Sequence, residues 1–180
     1  MKMKLNICIF CFIILLTSCT KKENAVLNNT PILIDTSRVA IIKYEDDNPE
    51  CKSIFEHATN ANLNNVDLKK IELAIDKIIE KRHPLQMKRY EEIAKMYPEE
   101  KYIKEDFILK KEKYIRRYLV VTNTKGEKEV YVAMVCDEIA KHYDFKKTLD
   151  QGHGGGSCLF SFKLNLTTNK YYEVYFNAEA

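Results

Sequence analysis

Tryptophan is absent from the 180 residues, and glycine and proline number only five and four. So few turn-formers exclude collagenous and low-complexity chains. An excess of one charge is also missing: 29 Lys+Arg stand against 26 Asp+Glu, a net of +3. Lys2 and Lys4 lie in the first 18 residues, which hold no acid, so the remainder is close to neutral. That removes most of the electrostatic case for a nucleic-acid partner, and none is expected. No apolar run reaches the roughly 18 residues a membrane-spanning helix needs. Past residue 18 there is no Cys-x-x-Cys, and His57, His83, His142 and His153 are scattered. Nothing has metal-ligand spacing, so neither a metal nor a cofactor is expected. What the chain does have is 46% hydrophobic and 31% charged residues. That balance fits a globular domain, and a chain of this length is read as one domain.

The apolar residues begin at once. Behind Lys2 and Lys4, Leu5 to Leu16 is apolar except for Asn6 and the two thiols, and it ends in Leu16-Thr17-Ser18-Cys19. Its length suits a signal-peptide core and falls short of a membrane span. Residues 1–19 resemble bacterial lipoprotein signal peptides: a positive start, a short apolar run, two small residues and a Cys, all in register. The resemblance implies cleavage between Ser18 and Cys19 and acyl chains such as palmitate on Cys19. Several acyl chains make a stable anchor where one is marginal. Thr20, in place of Asp, implies the outer rather than the inner membrane, with the face left open. Lys21 to Thr30 are polar and Asn-rich and read as a tether. The expected organisation is therefore a signal peptide over 1–18, a lipidated Cys and tether over 19–31, and one globular domain over 32–180.

Three thiols remain beside Cys19 after cleavage: Cys51, Cys136 and Cys158. An oxidising compartment permits a disulfide and leaves one Cys over. Cys136 and Cys158 are the preferred pair, since both fall on expected core strands. Two buried free thiols are the equal alternative.

The domain changes period midway. Val39 to Tyr44 reads as a short strand, and an acidic loop follows. Asp67 to about Lys81 repeats Leu68, Ile71, Ala74, Ile75 and Ile78 at three- and four-residue steps, an amphipathic helix that Asn65 can cap. Pro84 is expected to break it and open a second helix over about Leu85 to Tyr97. From Tyr114 the period is two. Tyr114–Thr122, Glu129–Cys136, Cys158–Leu166 and Tyr171–Phe176 read as strands, the third with one wet face and the last with Tyr172, Val174 and Phe176 inward. Helices before strands give an α+β class: two helices packed on a curved antiparallel meander of four to five strands. The layout is similar to cystatin-like and nuclear-transport-factor-like folds, which implies no function by itself.

Motifs for catalysis are incomplete. His153-Gly154-Gly155-Gly156 spells an esterase oxyanion loop, but the Gly-x-Ser-x-Gly elbow and the parallel βαβ pattern are missing. No Gly-Lys-Ser/Thr follows the loop to hold phosphate. Cys158 with His153 or His142 is the remaining thiol–imidazole candidate. The carboxylate pairs Glu91-Glu92, Glu99-Glu100 and Glu105-Asp106 diverge on their elements and read as solvated faces. Lys101 to Tyr118 carries seven basic residues against three acids. Its Lys113, Tyr114, Arg116, Arg117 and Tyr118 interleave Arg and Tyr, a composition suited to a protein or anionic surface. With His153 these five form the expected binding surface. The plainer alternatives are a solvated edge for the 101–118 stretch and a flexible glycine turn at His153.

The segment from Tyr114 also resembles small bacterial envelope lipoproteins, in Tyr114-Ile115-Arg116-Arg117-Tyr118, Gly154-Gly155-Gly156-x-Cys158-x-Phe160 and Asn165 to Tyr172. No activity comes with that resemblance. The reading that follows is a membrane-anchored, non-enzymatic module that binds a protein partner, with an immunity or inhibitor role as one form. A small-ligand binder with a Tyr-lined pocket is second, and a hydrolase centred on His153 and Cys158 is third.

Overall fold

The computed structural model describes residues 35, 37–142, 144–147, 149 and 155–177. They belong to a compact unit spanning Pro31–Ala180. The expected signal peptide, Cys19, the expected tether and His153 lie outside the described residues.

The fold is α+β. The strands are β1 (Val39–Ile42), β2 (Thr59–Asn60), β3 (Tyr114–Thr122), β4 (Lys128–Cys136), β5 (Leu159–Asn165) and β6 (Lys170–Phe176). The helices are α1 (Pro49–Ile54), α2 (Asn65–Met96) and α3 (Asp137–Ala140). Among the described residues the six strands form one sheet, in the order β1-β3-β4-β5-β6, with β2 continuing the β1 edge of β3.

That sheet is mixed, which corrects the antiparallel meander. β3 to β6 follow one another antiparallel, but β1 runs parallel to β3, pairing Val39 with Arg116 and Ile42 with Leu119. A parallel pair needs a long crossover. Residues 43–113 supply it, and α2 is its main element.

α2 begins with a capping box. The Asp67 amide donates to Asn64 Oδ1 at 2.9 Å, and the Asn64 amide donates to Asp67 Oδ2 at 3.1 Å. The cap is thus Asn64, one residue ahead of the expected Asn65. Leu68, Ile71, Ala74, Ile75 and Ile78 are buried along one stripe. Pro84, expected to break the helix, lies inside it, and the two expected helices are one element of 32 residues. Proline removes only its own N–H bond and displaces one carbonyl. Pro84 is exposed, so water can take up that carbonyl, and helix-forming residues on both sides carry the helix through. The expected acidic loop also contains α1, capped by Asn48 Oδ1 and opened by Pro49.

β3, β4 and β5 are buried on both faces. On one face Tyr118, Val132, Met134, Phe160 and Phe162 pack with the α2 stripe. On the other, Leu119 and Val121 pack with Tyr44, Cys51 and Phe55 near α1, while Ile115, Val135 and Leu159 pack with Ile139 and Phe145. The wet face expected for β5 is therefore covered, by α1 and by the segment after β4. In β6 the expected inward set also changes. Glu173 sits at φ 49° and the register to β5 shifts between Ser161 and Lys163. This bulge puts one extra residue into the strand. Val174 is left exposed, while Tyr171 and Phe176 reach the α2-side core.

Candidate ligand cleft

Alternation along β3 decides which side chains meet. Successive residues point to opposite faces. Tyr114, Arg116 and Tyr118 therefore face α2, and Ile115, Arg117 and Leu119 face the other layer. Beside α2 and β3 a cleft of about 470 Å³ opens to solvent. Tyr114 and Tyr118 are 5% and 1% exposed, and with Leu68 and Val39 they give the cleft its apolar wall.

Its polar rim is a chain of ion pairs between the helix and the strand. The Arg116 guanidinium pairs with the Glu72 carboxylate. Lys111 Nζ lies 3.7 Å from Glu72 Oε2 and donates to Asp76 Oδ1 at 2.6 Å. Glu72 and Asp76 stand one turn apart on α2, so both aim at the same stretch. Across the cleft Arg38 donates to the Glu112 carbonyl at 2.6 Å and to Asp137 Oδ1 at 2.9 Å. The hydrogen bond to Asp76 pushes the Lys111 ammonium above its ordinary value, against burial and the repulsion of Arg116. Burial pushes the Tyr118 phenol up to about 12, although Arg116 lies close enough to draw it down in part. Burial likewise raises Tyr114, whose hydroxyl donates to the Ser157 carbonyl at 2.8 Å.

The expected binding surface is thus divided. Tyr114, Arg116 and Tyr118 come together, but as the wall of a cleft rather than an exposed patch. Arg117 is fully buried on the opposite face, in the row where Ala40, Ala133 and Ser161 pair across the sheet. Those small residues leave room for its long side chain, and its charge reaches Tyr131. Lys113 is exposed and borders a second, smaller cleft of about 250 Å³. His153 lies outside the described residues. The sequence did not single out Glu72 or Asp76, and Lys111 stood only among the basic residues between Lys101 and Tyr118. The available signal was the pair of acids four residues apart beside the apolar stripe of α2.

Cys136 and Cys158, the preferred pair, are bonded, with Cα atoms 4.9 Å apart. Cys51 is free and buried. A bonded Cys158 has no thiolate to attack a substrate, so the thiol–imidazole candidate is corrected for this state of the protein. The disulfide lines the smaller cleft together with Glu138. Among the described residues Cys136, Cys158 and Glu138 are the one group whose ligand atoms crowd as a metal site requires. No described helix is long and apolar enough to cross a membrane.

No protein-family model, no curated protein and no solved structure matches this chain.

The buried phenols set the alkaline limit of the fold. Tyr118 binds its proton more tightly folded than unfolded, where its value is 10.0. Between these values the native state carries the extra proton, so stability falls as pH rises. Urea midpoints are expected to hold below pH 10 and to drop between about 10 and 12. Tyr118→Phe is expected to flatten part of that drop.

Proposed function

We propose that the protein is a membrane-anchored envelope lipoprotein whose domain binds a small amphipathic organic molecule in the cleft beside α2 and β3. The observation that carries this reading is the cleft itself. Its volume of about 470 Å³ falls in the range of roughly 300–1,000 Å³ typical of small-molecule sites. Tyr114 and Tyr118, with Val39 and Leu68, line it with apolar side chains. Arg116, Lys111 and Arg38 against Glu72 fix where a charged group of the ligand sits. Among the described residues that line the cleft there is no nucleophile–base pair. The anchor rests on residues 1–19, with Cys19 as the acylated residue and the outer membrane as its address. The cystatin-like and nuclear-transport-factor-like layout belongs to the same proposal, since those folds also set a helix across a sheet.

A protein partner is the second reading. It draws on the exposed apolar residues Met96, Tyr97 and Ile103 at the far end of α2 and just beyond it. They lie away from the cleft, so the two readings are separable.

The test uses the full chain in detergent, with thermal unfolding followed across a panel of amphipathic acids, amines and zwitterions. A ligand at a hundred times its Kd stabilises by about 2.7 kcal/mol, which raises Tm by roughly 5–10 °C. That rise is expected to vanish in Arg116→Met and to persist in Lys113→Met. A flat panel, or a rise that survives Arg116→Met, contradicts the reading. For the anchor, Cys19→Ser is expected to abolish incorporation of labelled palmitate and to move the chain out of the membrane fraction. Unchanged labelling overturns that part.

A further inference from the structure

The smaller cleft holds chemistry that the ligand reading does not use. Cys136 ends β4, and Cys158 stands immediately before β5. Glu138 Oε2 lies 3.9 Å from Cys136 Sγ. The two sulfurs and a Glu138 oxygen all lie within 4.8 Å of one another. Cys136 is buried, Cys158 half-buried and Glu138 exposed, so the group is reachable from the cleft.

We propose that reduction of the Cys136–Cys158 disulfide creates a site for a soft divalent cation of the Zn²⁺ class, held by the two thiolates and the Glu138 carboxylate. The S–S bond breaks, and two electrons from a dithiol pass to the two sulfurs. The dithiol becomes its own disulfide, and its two protons complete two protein thiols. Binding the cation displaces those protons, and two metal–thiolate bonds form. Two thiolates and a carboxylate suit zinc, and three protein ligands leave a fourth position for water or an outside ligand.

The thiols stay together without their bond because the backbone holds both. β4 pairs with β5 from Val135 opposite Leu159, one residue inside each cysteine. Cys136 pairs with Tyr114 in the ladder to β3, and the Tyr114 hydroxyl holds the Ser157 carbonyl at 2.8 Å. Tyr114 therefore clamps both ends. Beside Cys158, Gly155 and Gly156 have φ 81° and 52°, a backbone that glycine adopts freely. Arg89 and Lys113 also border the cleft. The spacing of 22 residues hid this group in the sequence, since only the sheet brings it together.

The test uses the full chain with Cys8, Cys11, Cys19 and Cys51 changed to Ser, so that only the pair remains. After reduction with a phosphine it is titrated with Co²⁺ and then Zn²⁺. One equivalent of Co²⁺ is expected to give thiolate charge-transfer absorption that Zn²⁺ abolishes. Zn²⁺ is also expected to raise the Tm of the reduced protein. The oxidised protein should show neither effect. Cys158→Ser should lose the absorption, and Glu138→Gln should weaken binding about 10-fold or more while keeping the thiolate band. A reduced protein that is folded by circular dichroism but binds no Co²⁺ through sulfur overturns the proposal. So does loss of the fold on reduction, because the clamp must hold without the bond. Unchanged affinity in Glu138→Gln removes the carboxylate and with it the three-ligand site.

Discussion

The alternation of side chains along β3 is the constraint on which the rest of this structure depends. Because the strand is central and both of its faces are covered, each residue commits to one layer. Arg116 and Arg117 are neighbours in sequence and end in different chemical worlds. Arg116 meets Glu72 on α2 and rims a cleft open to solvent. Arg117 enters the opposite layer and is fully buried. A slip of one residue would exchange them and put Tyr114 and Tyr118 on the wrong side of the sheet.

The ion pairs beside that strand join two elements far apart in sequence. Isolated surface pairs contribute little, typically 0 to about 1 kcal/mol. Here three carboxylate–cation contacts share Lys111, Arg116 and Glu72, and the side chains of all three are at most 30% exposed. Their value is geometric more than energetic: they fix the α2 side of the cleft while leaving its apolar wall open. Tyr114 links this region to the disulfide, since it lines both clefts and hydrogen-bonds beside Cys158. A change at one cleft therefore has a short physical route to the other.

How much of this could be read from the residues follows from how local each signal is. β3, β4 and the α2 stripe were legible because periods of two and 3.6 are local and strong. The parallel pairing of β1 was not, because it depends on a crossover of some 70 residues. Pro84 misled in the other direction: the rule that proline ends helices is a tendency, and an exposed position inside good helix formers overrides it. Asn48-Pro49 did carry a helix-start signal, masked by the acidic residues around it. For the cleft, Tyr114, Arg116 and Tyr118 stood at i, i+2 and i+4, and the same alternation already separated Arg117 from them. The partner set Glu72, Asp76 and Lys111, supplied by α2 and by the turn before β3, left only a faint local trace, two acids four residues apart beside the apolar stripe.

The central claim is that the groove beside α2 and β3 is where this protein meets its ligand. The most direct test is a two-dimensional amide NMR titration with the best compound from the thermal panel. The account predicts shifts concentrated at Leu68, Glu72, Asp76 and the 111–118 stretch, saturating at one equivalent. Shifts concentrated at Met96 to Ile103, with the β3 amides unmoved, would contradict it and move the binding function to the far end of α2.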